Sequence, residues 1–166
     1  MGALKFMLLK FNPKTTMMFD PQSSIKFEGD TGPYVQYACA RIASIKRKAA
    51  ESGIELDLSK VNWSKLSSPA EKALAVTASF YGNTLRTAAE RRDASVLVEY
   101  LLNLAKSFNR FYRECPVMTA ENEELRLARL AACEAARQIL TDGLNTLTIE
   151  VPSAMKKNFY IIMNLN

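Results

Sequence analysis

The chain has 166 residues, 22 Lys+Arg against 17 Asp+Glu for a formal charge of +5, and an apolar fraction of 48%, values ordinary for a globular domain with a closed core and against disorder. It contains no histidine, which excludes Ser/His and Cys/His nucleophile pairs, histidine-ligated zinc and a histidine general base. Cys39, Cys115 and Cys133 form no C-x-x-C pair, no apolar run nears the ~18 residues of a membrane span, and no small-residue cleavage site follows the first apolar segment, so the chain reads as a cytosolic protein kept in a reducing compartment and away from membranes.

Residues 3–11 read as the end of a helix, with Leu4, Leu8 and Phe11 at helical spacing and a stop imposed by Pro13. Residues 14–33 mix Phe19, Ile25 and Phe27 with Asp20, Pro21, Gly29 and Gly32, a broken pattern that predicts a loop with room for one short strand. Asp30 or Thr31 then caps a helix that has Pro33 in its first turn, runs to about Ser52 and stops at Gly53. Ser68, Pro69 and Glu71 form a capping box that opens a helix reaching about Arg91. A third helix begins near Asp93 and carries the stripe Leu97, Leu101, Leu104, Phe108 and Phe111, ending before Pro116. A fourth follows Thr119, with Glu121, Glu123 and Glu124 at the positive end of its dipole, and closes at Gly143. Four long helices without repeats predict an all-α bundle preceded by a short irregular segment.

The positive charge is concentrated. Residues 1–50 carry eight Lys/Arg and three Asp/Glu, whereas the rest of the chain is near neutral. Arg41, Lys46, Arg47 and Lys48 form a basic cluster suited either to a phosphate backbone or to a solvated helix face. On an ideal helix Tyr34, Tyr37, Arg41 and Lys48 lie within about 60° of one another, beside the apolar stripe Val35, Ala38, Ile42 and Ala49. Such a face stacks splayed bases and holds phosphates, as in single-stranded RNA recognition; equally, the tyrosines serve as border residues with wet hydroxyls. The turn at Gly29 and Gly32 lacks the Gly-Lys-Ser/Thr of a phosphate loop, and the glutamates have a sufficient helix-start role. No arrangement in the chain reads as catalytic.

The run Gly29-Asp30-Thr31-Gly32-Pro33-Tyr34-Val35-Gln36-Tyr37-Ala38-Cys39-Ala40-Arg41 resembles the G-x-T-[GA]-P-Y-x-Q-Y-x-x-x-R signature that opens the anticodon-binding domain of arginyl-tRNA synthetases. Gly2-Ala3-Leu4-Lys5-Phe6 is similar to the segment ending that family's catalytic part. Phe19-Asp20 and Phe27-Glu28-Gly29 upstream, and Cys115-Pro116-Val117, Arg126, Arg129-Leu130 and Gly143-Leu144 downstream, continue the likeness over about residues 2–155. The resemblance implies a class I synthetase anticodon-binding bundle, with residues 1–28 as connection to a catalytic part, 29–155 as the helical domain and 156–166 as a tail beyond the family's usual end.

It also implies a non-catalytic chain that binds the anticodon loop of arginine-accepting tRNA, not DNA, and docks with the synthetase's catalytic domain. The ATP and Mg of the full-length enzyme belong to a Rossmann-type part whose H-I-G-H motif a histidine-free chain lacks, leaving no cofactor for this chain. Tyr34, Tyr37, Arg41 and Arg47 match loop-contacting positions, Phe108 and Tyr112 an aromatic pair on a later helix, and Met155 the family's terminal methionine. Arg47 points about 120° away from Arg41, which makes Lys48 the better partner on geometry. Phe108 also lies on the leucine stripe of its own helix, where core packing is its other reading. The alternative function is a helical module that binds a protein, such as a separate catalytic domain.

Overall fold

The computed structural model describes residues 1–12, 26 and 29–151. Within them lie six α-helices: α1 (Gly2–Lys10), α2 (Gly32–Glu51), α3 (Pro69–Ser79), α4 (Tyr81–Arg91), α5 (Ser95–Glu114) and α6 (Glu123–Thr146), with short 3-10 turns at Leu58–Lys60 and Trp63–Lys65. The expected loop and strand over most of 14–28, and all of 156–166, lie outside the described residues.

Local signals place most helix starts. Thr31 accepts a hydrogen bond from the Tyr34 amide, and Pro33 sits in the first turn of α2. The Ser68 hydroxyl accepts from the Glu71 amide while the Glu71 carboxylate accepts from the Ser68 amide, completing the capping box of α3. Asp93 accepts from both the amide and the hydroxyl of Ser95 at the entry to α5. Asn122 caps α6 through the Leu125 amide, so of the three glutamates expected in the first turn Glu121 precedes the helix and Glu123 and Glu124 form it.

The helix expected to run from Ser68 to Arg91 is two helices that meet at Phe80. No proline marks the joint, and Gly82 stands two residues beyond it in the first turn of α4. The Tyr100 hydroxyl of α5 reaches the carbonyls of Thr77 and Ala78 at 3.0 and 3.3 Å, and the Phe80 amide bonds to Thr77 in a 3-10 step. A side chain inserted at the last turn thus competes for carbonyls that would continue the ladder.

Gly143 likewise does not end its helix, which continues to Thr146. A β-carbon there would stand 2.5 Å from Leu101 Cδ2, so the glycine lets α6 press against α5. Gly32 does the same for α2 and α1, where an added β-carbon would meet Phe6 Cβ at 2.8 Å.

Helix α5 is the hub, packing against α1, α2, α3, α4 and α6. Its predicted stripe of Leu97, Leu101, Leu104, Phe108 and Phe111 is buried, together with Val98, Leu102 and Ala105. On α1 the expected stripe is inverted. Phe6 is the buried residue, and Leu4, Leu8 and Phe11 face solvent at 38, 52 and 36% exposure. Period alone identifies a shared face without saying which side of a short helix meets the core.

Candidate nucleic-acid interface

Helix α2 carries its apolar side, Val35, Ala38, Cys39, Ile42, Ile45 and Ala49, into the core. Tyr34, Tyr37 and Arg41 therefore fall on its border, each half-buried. Tyr34 packs partly on the core. The Arg41 guanidinium lies 4.6 Å from the centroid of the Tyr37 ring and 4.9 Å from that of Tyr112 on α5, within reach of a cation–π contact with both rings. Its Nη1 donates to Asn109 Oδ1 at 3.0 Å. Tyr112 is 41% exposed.

The fold therefore joins four of the expected residues, Tyr37, Arg41, Phe108 and Tyr112, from two helices. Phe108, however, is fully buried. Its ring lies 6.2 Å from Tyr112 and 6.3 Å from Phe111, so it backs the exposed tyrosine from beneath and offers no surface to a ligand. The leucine stripe of α5 governs this position because the 3.6-residue period turns residue 108 to the same side as Leu101 and Leu104.

The basic cluster is divided by its partners. Lys46 turns to Glu134 of α6 at 3.5 Å. That carboxylate is also held by Arg137 at 2.7 Å, and the hydrogen bonds from Arg137 keep Glu134 charged below the usual carboxylate range. Arg47 reaches Glu51 at 3.9 Å and the Ser44 hydroxyl at 3.3 Å. Lys48 is exposed with no carboxylate partner among the described residues. Met155 lies outside the described residues.

The Gly29–Gly32 turn carries a carboxylate held by two lysines. Asp30 draws in Lys106 at 2.6 Å and Lys10 at 3.6 Å, and the Lys106 hydrogen bond leads the effects that lower its pKa, placing a carboxylate at the entry to α2. Among the described residues, no three His, Cys, Asp or Glu side chains group as metal ligands, and no helix is long and apolar enough to cross a membrane.

Asn109 was not legible as a site residue. Its one available signal is its place three residues before Tyr112 on α5, which puts both on one helix face.

Residues 35–155 match the family model of the DALR anticodon binding domain. The chain is 39% identical over 156 residues to the arginine–tRNA ligase of Treponema denticola, covering 93% of this chain and 26% of that protein. It is 40% identical over 158 residues to that of Thermococcus kodakarensis, with 93 and 24% covered. Its fold superposes on the Thermus thermophilus arginyl-tRNA synthetase with a TM-score of 0.81 at 42% identity, over 93% of this chain and 26% of that one. The chain thus spans about a quarter of the length of these relatives. A helical bundle built around α2 and α5, the opening signature and the extent of these matches together show that the chain belongs to the DALR anticodon-binding domain family, in the form found in arginyl-tRNA synthetases.

Proposed function

We propose that this chain binds the anticodon loop of arginine-accepting tRNA through the border of α2 and α5, serving arginyl-tRNA formation without performing the chemistry itself. The observation that carries this reading is the Arg41 guanidinium held against the rings of both Tyr37 and Tyr112. This arrangement presents rings for bases and a cation for acceptor atoms or phosphates. Tyr34 extends the aromatic border, and Lys48 is the cation of the basic cluster with neither a carboxylate nor a ring beside it among the described residues. Arg47 joins only by leaving Glu51, and Phe108 acts by supporting Tyr112. Met155 keeps the role that family likeness implies for it. The ATP-dependent ligation belongs to the part of the relatives that this chain does not span, and a cytoplasmic setting accompanies the assignment.

The test is a titration with arginine-accepting tRNA and with the same tRNA carrying a swapped anticodon, at two salt concentrations. The native anticodon should bind more tightly. Tyr34→Ala or Tyr37→Ala should weaken binding about tenfold or more with circular dichroism unchanged, because each base stacked on a ring contributes roughly 1–3 kcal/mol. Lys48→Ala should reduce the salt slope while leaving the anticodon preference in place. Equal binding to both tRNAs would reject anticodon recognition.

A second surface supports the docking of a catalytic domain. Leu4 and Leu8 on α1 and Phe11 just past its end are exposed apolar side chains, with Phe6 anchoring the helix in the core. Leu8→Asp should abolish association with a separately expressed arginyl-tRNA synthetase catalytic domain and spare tRNA binding. Unchanged association would remove α1 from that interface.

A further inference from the structure

Contact with two rings, 4.6 and 4.9 Å from its Cζ to their centroids, holds the Arg41 guanidinium in place but does not fix the rotation about its Nε–Cζ bond. The hydrogen bond from Arg41 Nη1 to Asn109 Oδ1, 3.0 Å, restrains that rotation. The orientation of the Asn109 carboxamide follows from chemistry, since a guanidinium has only donors and must be met by the oxygen. The amide nitrogen is thereby turned away from Arg41, and it has no partner among the described residues. The half-buried position of Asn109 beside the exposed Tyr112 places this nitrogen on the same border.

Resting on the tRNA reading above, we infer that Asn109 is a positioning residue of the interface: it fixes the Arg41 guanidinium beside Tyr37 and Tyr112, so that the remaining Arg41 donors meet acceptor atoms of the RNA loop. An aspartate would hold the guanidinium equally well but would neutralise it. An alanine would leave the two ring contacts and release the rotation. These two replacements therefore separate orientation from charge.

The first measurement is made without RNA, on the full chain labelled with nitrogen-15. Slow rotation about the Arg41 guanidinium bonds should give resolved Nη signals in the parent and in Asn109→Asp, and averaged signals in Asn109→Ala. The second is tRNA binding. Arg41→Ala should lose about tenfold or more in affinity, the scale of a hydrogen bond to a charged group. Asn109→Ala should lose roughly fivefold as part of that effect, and the double variant should bind no worse than Arg41→Ala alone. Asn109→Asp should lose affinity and flatten the salt dependence despite its ordered guanidinium.

Parent-like Nη signals in Asn109→Ala would overturn the positioning role, as would losses that add in the double variant. Parent-like tRNA affinity in Arg41→Ala would instead overturn the tRNA assignment of this face. The RNA-free spectra then decide the positioning of Arg41 on their own.

Discussion

Glu71→Ala should destabilise the domain by about 3–5 kcal/mol in urea unfolding, the range for removing one partner of a buried ion pair. Glu71 is 1% exposed and its carboxylate accepts from Arg129 Nε at 2.6 Å and from the Ser68 amide at 2.8 Å. Arg129, itself 13% exposed, also donates to the Pro116 carbonyl at 2.7 Å. The Glu71–Arg129 pair thus ties the start of α3 to α6 and to the loop between α5 and α6. Its loss strands the guanidinium and opens the capping box together. Against a typical domain stability of about 5–15 kcal/mol this is a large fraction. A loss below about 1 kcal/mol would show that Arg129 finds replacement partners without cost.

The same group gives a pH dependence of known sign. Burial raises the Glu71 pKa, but the hydrogen bond from Ser68 and the pairing with Arg129 outweigh it, and the folded-state value lies below the ordinary one. A depressed carboxylate pKa contributes stability above the unfolded-state value, near pH 4.3, and that contribution disappears as pH falls through the folded-state value. Glu71→Gln should therefore flatten the acid limb of the stability curve. Asp30 and Glu134, depressed in the same direction by Lys106 and Arg137, should retain part of the slope. An acid limb identical to the parent's would exclude Glu71 as a contributor.

Phe108→Ala should cost about 3–5 kcal/mol, because the ring is fully buried among α5 neighbours and leaves a large cavity. Phe108→Leu, which keeps most of the apolar volume, should cost on the order of 1 kcal/mol. This pair separates the two readings of the residue. In the folded Leu variant tRNA affinity should stay within about twofold of the parent, since stacking worth 1 kcal/mol or more would be lost if a base touched the ring. A tenfold loss in a variant with unchanged melting would place Phe108 in the interface and require α5 to expose it. Tyr112→Ala, by contrast, removes an exposed ring whose centroid lies 4.9 Å from the Arg41 guanidinium.

The amino-acid sequence by itself determined the helical class, the starts of α2 and α3, the buried stripe of α5 and the identity of the aromatic and basic residues on α2. These features rest on interactions within about four residues: Thr31 with Tyr34, Ser68 with Glu71, and the repeat of Leu97, Leu101 and Leu104. The tertiary structure decided everything that depended on what stands opposite. Tyr100 reaches across to the carbonyls where α3 gives way to α4, and Leu101 makes Gly143 a packing position instead of a helix end. Glu134 takes Lys46 out of the basic cluster, and Asn109 and Tyr112 join Arg41 from another helix. The core claims Phe108 and turns Leu4, Leu8 and Phe11 outward. Caps and periodicity are local properties of a chain, whereas the partner of a buried carboxylate or the neighbour of a guanidinium is chosen only when distant segments meet.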